Sequence, residues 1–159
     1  MAQPILIQFV WRRVLPVFVV GVCAVVCTSC GSGKTQKKTY PVEGKVFWRS
    51  EKTPATHAMV IFRPAGDPKP EEWPDGYPRG TVGADGTFKL TSHVPDDGAP
   101  AGDYGVLIIW PKNPPKSEDE EAPESEDRLD GTYSDANAPR WRKQVKDNND
   151  PKDFVFIIK

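Results

Sequence analysis

Beyond position 30 the chain has no cysteine, because Cys23, Cys27 and Cys30 all lie in or at the edge of one apolar segment. The rest of the sequence can therefore form neither a disulfide nor a thiolate metal site of its own, and its hydrophobic core must hold it. Histidine is almost as scarce. With only His57 and His93 present, a zinc site is short of imidazole ligands. A nucleophile–base pair would need one of the two beside a serine or a buried acid. His57 begins a strand-like run and His93 ends one, so both are expected at edges or in solvent. An excess of positive charge is missing as well. Taking away Arg12 and Arg13 with residues 1–29 leaves 19 basic side chains against 22 acidic ones, a net charge of −3. Nucleic-acid phosphates need a clustered positive surface, so no nucleic-acid partner is expected. Helical periodicity is also lacking after Thr39, where proline recurs too often for long helices.

What the N-terminus does have is a pattern of export. Arg12 and Arg13 precede an uncharged run from Val14 to Val26, and small residues follow it. A basic start, a short apolar stretch and small residues describe a secretory signal. The rival is a permanent membrane helix. Val14 to Cys30 is 17 residues, about 26 Å of helix at roughly 1.5 Å per residue. That falls short of the ~30 Å hydrocarbon core, and Pro16 and Gly21 interrupt it. The signal reading is preferred. Thr28-Ser29-Cys30-Gly31 resembles the lipobox of bacterial lipoproteins, with Cys27 where that family usually has leucine. The resemblance implies cleavage before Cys30 and acylation of its sulfur, giving a membrane partner through lipid chains. Two or three chains hold far more firmly than one, at about 0.8 kcal/mol per buried methylene. Residues 1–29 are thus expected as signal peptide, 30–38 as a flexible polar tether and 39–159 as one domain. The expected location is the cell envelope, facing the periplasm or the cell surface. Gly31 rather than aspartate after the cysteine favours the outer membrane, if the enterobacterial sorting rule applies.

Other motifs overlap this stretch and fail on context. Thr28 to Thr35 looks like a phosphate-binding P-loop, but Thr28 stands where glycine is needed, and Pro41 cuts off the helix that should follow. Cys23, Cys27 and Cys30 have the spacing of a radical cluster loop without a barrel to carry it. Cys27 and Cys30 match a redox pair without the surrounding βαβ pattern. Haem attachment would need histidine where Gly31 stands. No cofactor is expected.

From Thr39 onward the signals are short β-rich runs set off by turn residues. They cover Tyr40–Trp48, His57–Phe62, Arg79–Val82, Thr87–Thr91, Asp103–Trp110, Trp141–Val145 and Phe154–Ile158. Asp85-Gly86 between two of them is a hairpin signal, because glycine accepts the positive φ of a tight turn. Asp103–Trp110 is apolar on both faces and is expected to be central. The inward residues are expected to be Val46, Trp48, Val60, Phe62, Phe88, Leu90, Val106, Ile108, Phe154 and Phe156. This predicts an all-β fold, a seven-stranded antiparallel β-sandwich. The succession Val42-x-Gly44-x-Val46, Met59-Val-Ile-Phe62, Gly80 through Ala84-Asp85-Gly86-Thr-Phe88, and Ala101-Gly102-Asp-Tyr104-x-Val106 resembles a carboxypeptidase-regulatory-like domain, a transthyretin-like sandwich. Leu129 to Asp135 resembles the loop before the last two strands of that family. The resemblance implies a non-catalytic accessory, adhesion or binding module with no defined ligand.

Two surface features remain. Seven acids lie between Glu118 and Asp127. A calcium loop arranges its oxygens around a glycine turn, whereas this run has no glycine and contains Pro123, so a solvated, self-repelling loop is expected. Asp96, Asp97 and Asp103 are a thinner version of the same idea, and Gly98 and Pro100 make that stretch a turn. The loop from Pro64 to Pro78 interleaves Trp73 and Tyr77 with prolines and acids. Exposed, these two aromatics would be the ligand-binding residues, stacking on sugars or on a partner protein. Folded back onto the domain, they would simply pack against prolines, and that is the commoner arrangement.

Overall fold

Alternation decides the first strand: Val42, Gly44 and Val46 are buried, while Glu43 and Lys45 face water. The same logic runs through the computed structural model, which describes residues 36–114 and 126–159. The apolar N-terminal segment, Cys30 and most of the acidic run lie outside the described residues. The strands are β1 (Thr39–Tyr40), β2 (Glu43–Trp48), β3 (Met59–Pro64), β4 (Arg79–Thr81), β5 (Thr87–Lys89), β6 (Ala99–Pro100), β7 (Gly102–Ile109), β8 (Trp141–Val145) and β9 (Val155–Ile158). Short 3-10 turns occupy Pro70–Glu72 and Pro151–Phe154, and no α-helix occurs among the described residues. The fold is all-β.

The strands form a pair, β1-β6, a three-stranded sheet β5-β2-β9, and a four-stranded sheet β4-β3-β7-β8. The two larger sheets turn their apolar faces into one core. Val46, Phe88, Phe156 and Ile158 come from one side, and Val60, Phe62, Val106 and Ile108 from the other. Each such side chain contributes about 1.5–3 kcal/mol through removal from water. Every residue expected inside is buried except Trp48, which is half-buried at a strand end against Trp110, ring centres 5.5 Å apart. The doubly apolar strand, β7, is central as expected, with β3 and β8 on its two sides.

Three details differ from the sequence expectation, each for a physical reason. The first run is broken at Pro41, so Thr39 and Tyr40 pair with β6 while β2 enters the three-stranded sheet. The sheets are not wholly antiparallel, because β9 runs parallel to β2, with Val46 opposite Phe156. The chain leaves β8 in one sheet and crosses to the other through the 3-10 turn, so it cannot return antiparallel beside its predecessor. The Asp85-Gly86 turn forms, with Gly86 at φ 85° and the Gly83 N–H donating to the Thr87 carbonyl at 2.7 Å. It is a corner rather than a hairpin within one sheet, for β4 and β5 belong to different sheets. Arg79 and Thr91 exchange backbone hydrogen bonds of 3.0 and 2.8 Å across the seam.

Candidate functional site

The connection between β3 and β4 carries both sequence-predicted ligand residues. Pro70 opens its 3-10 turn, where a missing N–H does no harm. Trp73 N–H closes the turn on the Pro70 carbonyl at 3.0 Å. Gly76, at φ 84°, then donates to the Trp73 carbonyl at 3.0 Å. Pro78 is buried, and its carbonyl accepts from Phe62 N–H at 2.8 Å, so the loop returns to the strand it left.

This path folds Trp73 back onto the domain. Its ring lies edge-on to Tyr77 at 5.8 Å and to the buried Tyr104 at 6.4 Å. Lys37 places its ammonium 4.1 Å from the Trp73 ring centre and 3.4 Å from Glu72, tying the first described residues to the loop. Trp73 and Tyr77 are thus brought together, both half-buried. The Tyr104 hydroxyl donates to the Pro100 carbonyl at 2.7 Å, and burial raises its phenol above the ordinary value. The Trp73 indole N–H is buried with no hydrogen-bond partner among the described residues.

The histidines part company. His57 sits exposed at φ 66°, just ahead of β3 rather than within it, and its backbone N–H donates to Val82. His93, expected at an edge or in solvent, has a side chain only 12% exposed. Its Nδ1 lies 2.9 Å from Asp75 Oδ2. A carboxylate only accepts, so Nδ1 carries the proton and donates it. His93 Nε2 is buried and meets no partner among the described residues. The reason sequence missed this pair is the separation: Asp75 comes from the β3–β4 loop and His93 from the turn after β5.

The other acids serve their own chain. Asp97 accepts the backbone N–H groups of Ser92, His93 and Val94 at 2.7, 3.1 and 3.3 Å, which makes the Asp96–Gly98 stretch a turn. Asp127 does the same for Trp110, Leu129 and Gly131 at 2.9, 3.1 and 3.1 Å. Lys112 and Glu126 meet at 2.7 Å, and their hydrogen bond lowers the acid and raises the amine from their ordinary values. Among the described residues no three histidines, cysteines, aspartates or glutamates gather as metal ligands. Cys30 lies outside the described residues. Compared with protein-family models, curated proteins and solved structures, the chain matches none.

Proposed function

We propose that the chain is an exported lipoprotein, acylated at Cys30, whose β-sandwich domain is a non-catalytic binding or structural module on the extracytoplasmic side of a membrane. The observation that carries this reading is the order of the N-terminal residues. A basic pair, an uncharged apolar run and Ser29-Cys30-Gly31 precede a β-domain whose first strand opens at Thr39. The intervening residues 31–38 would span at most about 29 Å when extended, which holds the domain close to the bilayer.

A transthyretin-like sandwich is supported by the seven strands of three or more residues, divided between the three- and four-stranded sheets. A role in recognition or scaffolding is supported by the use made of the acids. Asp85, Asp97 and Asp127 take up N–H groups of their own turns, and Asp75 holds His93. The packing of Trp73 against Tyr104 and under Lys37 supports a structural task for the aromatic loop over a sugar-stacking platform.

Intact-mass measurement of the protein from its native membrane, beside a Cys30→Ala variant, tests the proposal. A chain beginning at Cys30 with added acyl mass, absent from the variant, is the expected result. An unmodified chain that keeps Met1 would overturn it.

A further inference from the structure

Arg63, Gly105 and Arg142 stand in one cross-strand row of the four-stranded sheet, Arg63 opposite Gly105 and Gly105 opposite Arg142. The adjacent row, Phe62, Val106 and Trp141, packs against the core. Side chains alternate along a strand, so the two arginines project from the outer face. With strands about 4.8 Å apart, their Cα atoms stand roughly 10 Å apart, and the strand residue between them carries no side chain of its own. Pro139 sits over the glycine: a Cβ there would lie 2.8 Å from its Cγ. The result is a cleft of about 250 Å³ walled by the two arginines, floored by Gly105 and edged by Pro139, Asn137 and Asp67.

Neither guanidinium forms an ion pair with a carboxylate among the described residues, where the pairs are made by Lys37, Lys89, His93 and Lys112. Asp103, on the same face, accepts from the Gln144 amide at 3.1 Å, and among the described residues Asp67 is the one carboxylate of the lining. Two like charges that line one cleft on either side of Gly105 and the Pro139 ring, with no carboxylate paired to either among the described residues, suit an anion between them. A carboxylate is planar and can be satisfied by a single forked guanidinium. Donors on two opposite walls suit an anion with oxygens on several sides. We propose that this cleft is a binding site for a phosphoryl group, held between Arg63 and Arg142, with the Asn137 amide at its rim.

The test uses the full-length chain in dodecyl maltoside micelles at about 0.15 M salt, where distant surface charges are largely screened. Glycerol phosphate is titrated by calorimetry. Saturable binding is expected, weakened about tenfold by Arg63→Gln or by Arg142→Gln and lost in the double variant. Lys143→Gln, on the same strand but turned toward Phe156, is expected to leave the affinity unchanged. Circular dichroism and thermal unfolding establish that each variant is folded. Micelles doped with phosphatidylglycerol separate two sources of the group. Displacement of glycerol phosphate marks a lipid headgroup, and its persistence marks a soluble phosphate monoester. No saturable binding, or equal binding by the folded double variant, would overturn the proposal.

Discussion

Trp110 and Trp73 do similar packing work and differ at one atom. Both are half-buried against the core, and both have a second aromatic ring at their side. Trp110 follows directly on β7, and its indole N–H donates to the Thr56 carbonyl at 2.9 Å. Trp73 hangs from a loop, and its N–H is buried without a partner among the described residues. The frame explains the contrast. Trp48 at the end of β2 meets Trp110 beside β7, and Trp141 on β8 lies 5.2 Å from Phe156 on β9, so strand-borne rings join the two sheets at fixed places. The loop fixes Trp73 through ring contacts and one cation, which set its apolar surface but not a hydrogen-bond acceptor. Strand-borne aromatics hold the frame together; the loop-borne one covers it.

The largest expected effect tests that division. Trp141 stacks on Tyr133 at 5.3 Å and tilts against Phe156 at 5.2 Å. Trp141→Ala should cost about 2–4 kcal/mol by the usual scale for large aromatics. It would be read from the urea midpoint at unchanged slope. Trp73→Ala should cost distinctly less, and an equal loss would break the comparison. The next pair isolates the nitrogen. Trp110→Phe strands the Thr56 carbonyl and should cost about 1–2 kcal/mol, whereas Trp73→Phe removes an unpaired buried donor and should be neutral or stabilising. Similar destabilisation by both would mean that the Trp73 nitrogen does find an acceptor in solution.

The same division separates what could be read in the sequence from what could not. Strand alternation is local, so nine of the ten expected inner residues are buried, and Trp141–Val145 has the bounds expected of it. The Asp85-Gly86 turn was legible because its geometry is set by the residues inside it. Its consequence was not: whether a tight turn closes a hairpin or rounds a corner depends on which sheets its flanks join. The parallel pairing of β2 with β9 is hidden for a similar reason, since register between distant strands leaves no local trace. At the candidate site, Trp73 and Tyr77 stood out by residue type, but Asp75 with His93 and Arg63 with Arg142 become neighbours only through topology.

A smaller effect probes how the loop is fastened. Asp75 Oδ2 accepts from His93 at 2.9 Å, with the acid side chain 38% exposed. Partial exposure screens such a pair, so Asp75→Ala should cost only about 0.5–1 kcal/mol. Its clearer sign should be faster proteolytic cleavage within residues 65–78, because cleavage follows local opening. Unchanged cleavage would assign the fastening to the Trp73 ring contacts alone.

The smallest effect belongs to the Asp85 corner, where the polar atoms are satisfied as they are at Trp110. Asp85 Oδ1 accepts from the Thr87 hydroxyl at 2.6 Å and from the Thr87 N–H at 3.0 Å. These hydrogen bonds, the hydroxyl first, hold its carboxyl below the ordinary value of 3.8. A lowered pKa in the folded state means that folding favours the ionised form. Its contribution is therefore complete above the unfolded-state value and is lost as pH falls through the folded one. Asp85→Asn keeps an acceptor oxygen but removes the charge. The stability difference between wild type and variant should be small at about pH 6 and shrink further toward about pH 3. Urea midpoints at the two pH values measure it. A difference that stays constant would mean that the corner is held by its backbone geometry, with Gly86 at φ 85°, and owes nothing to the charge.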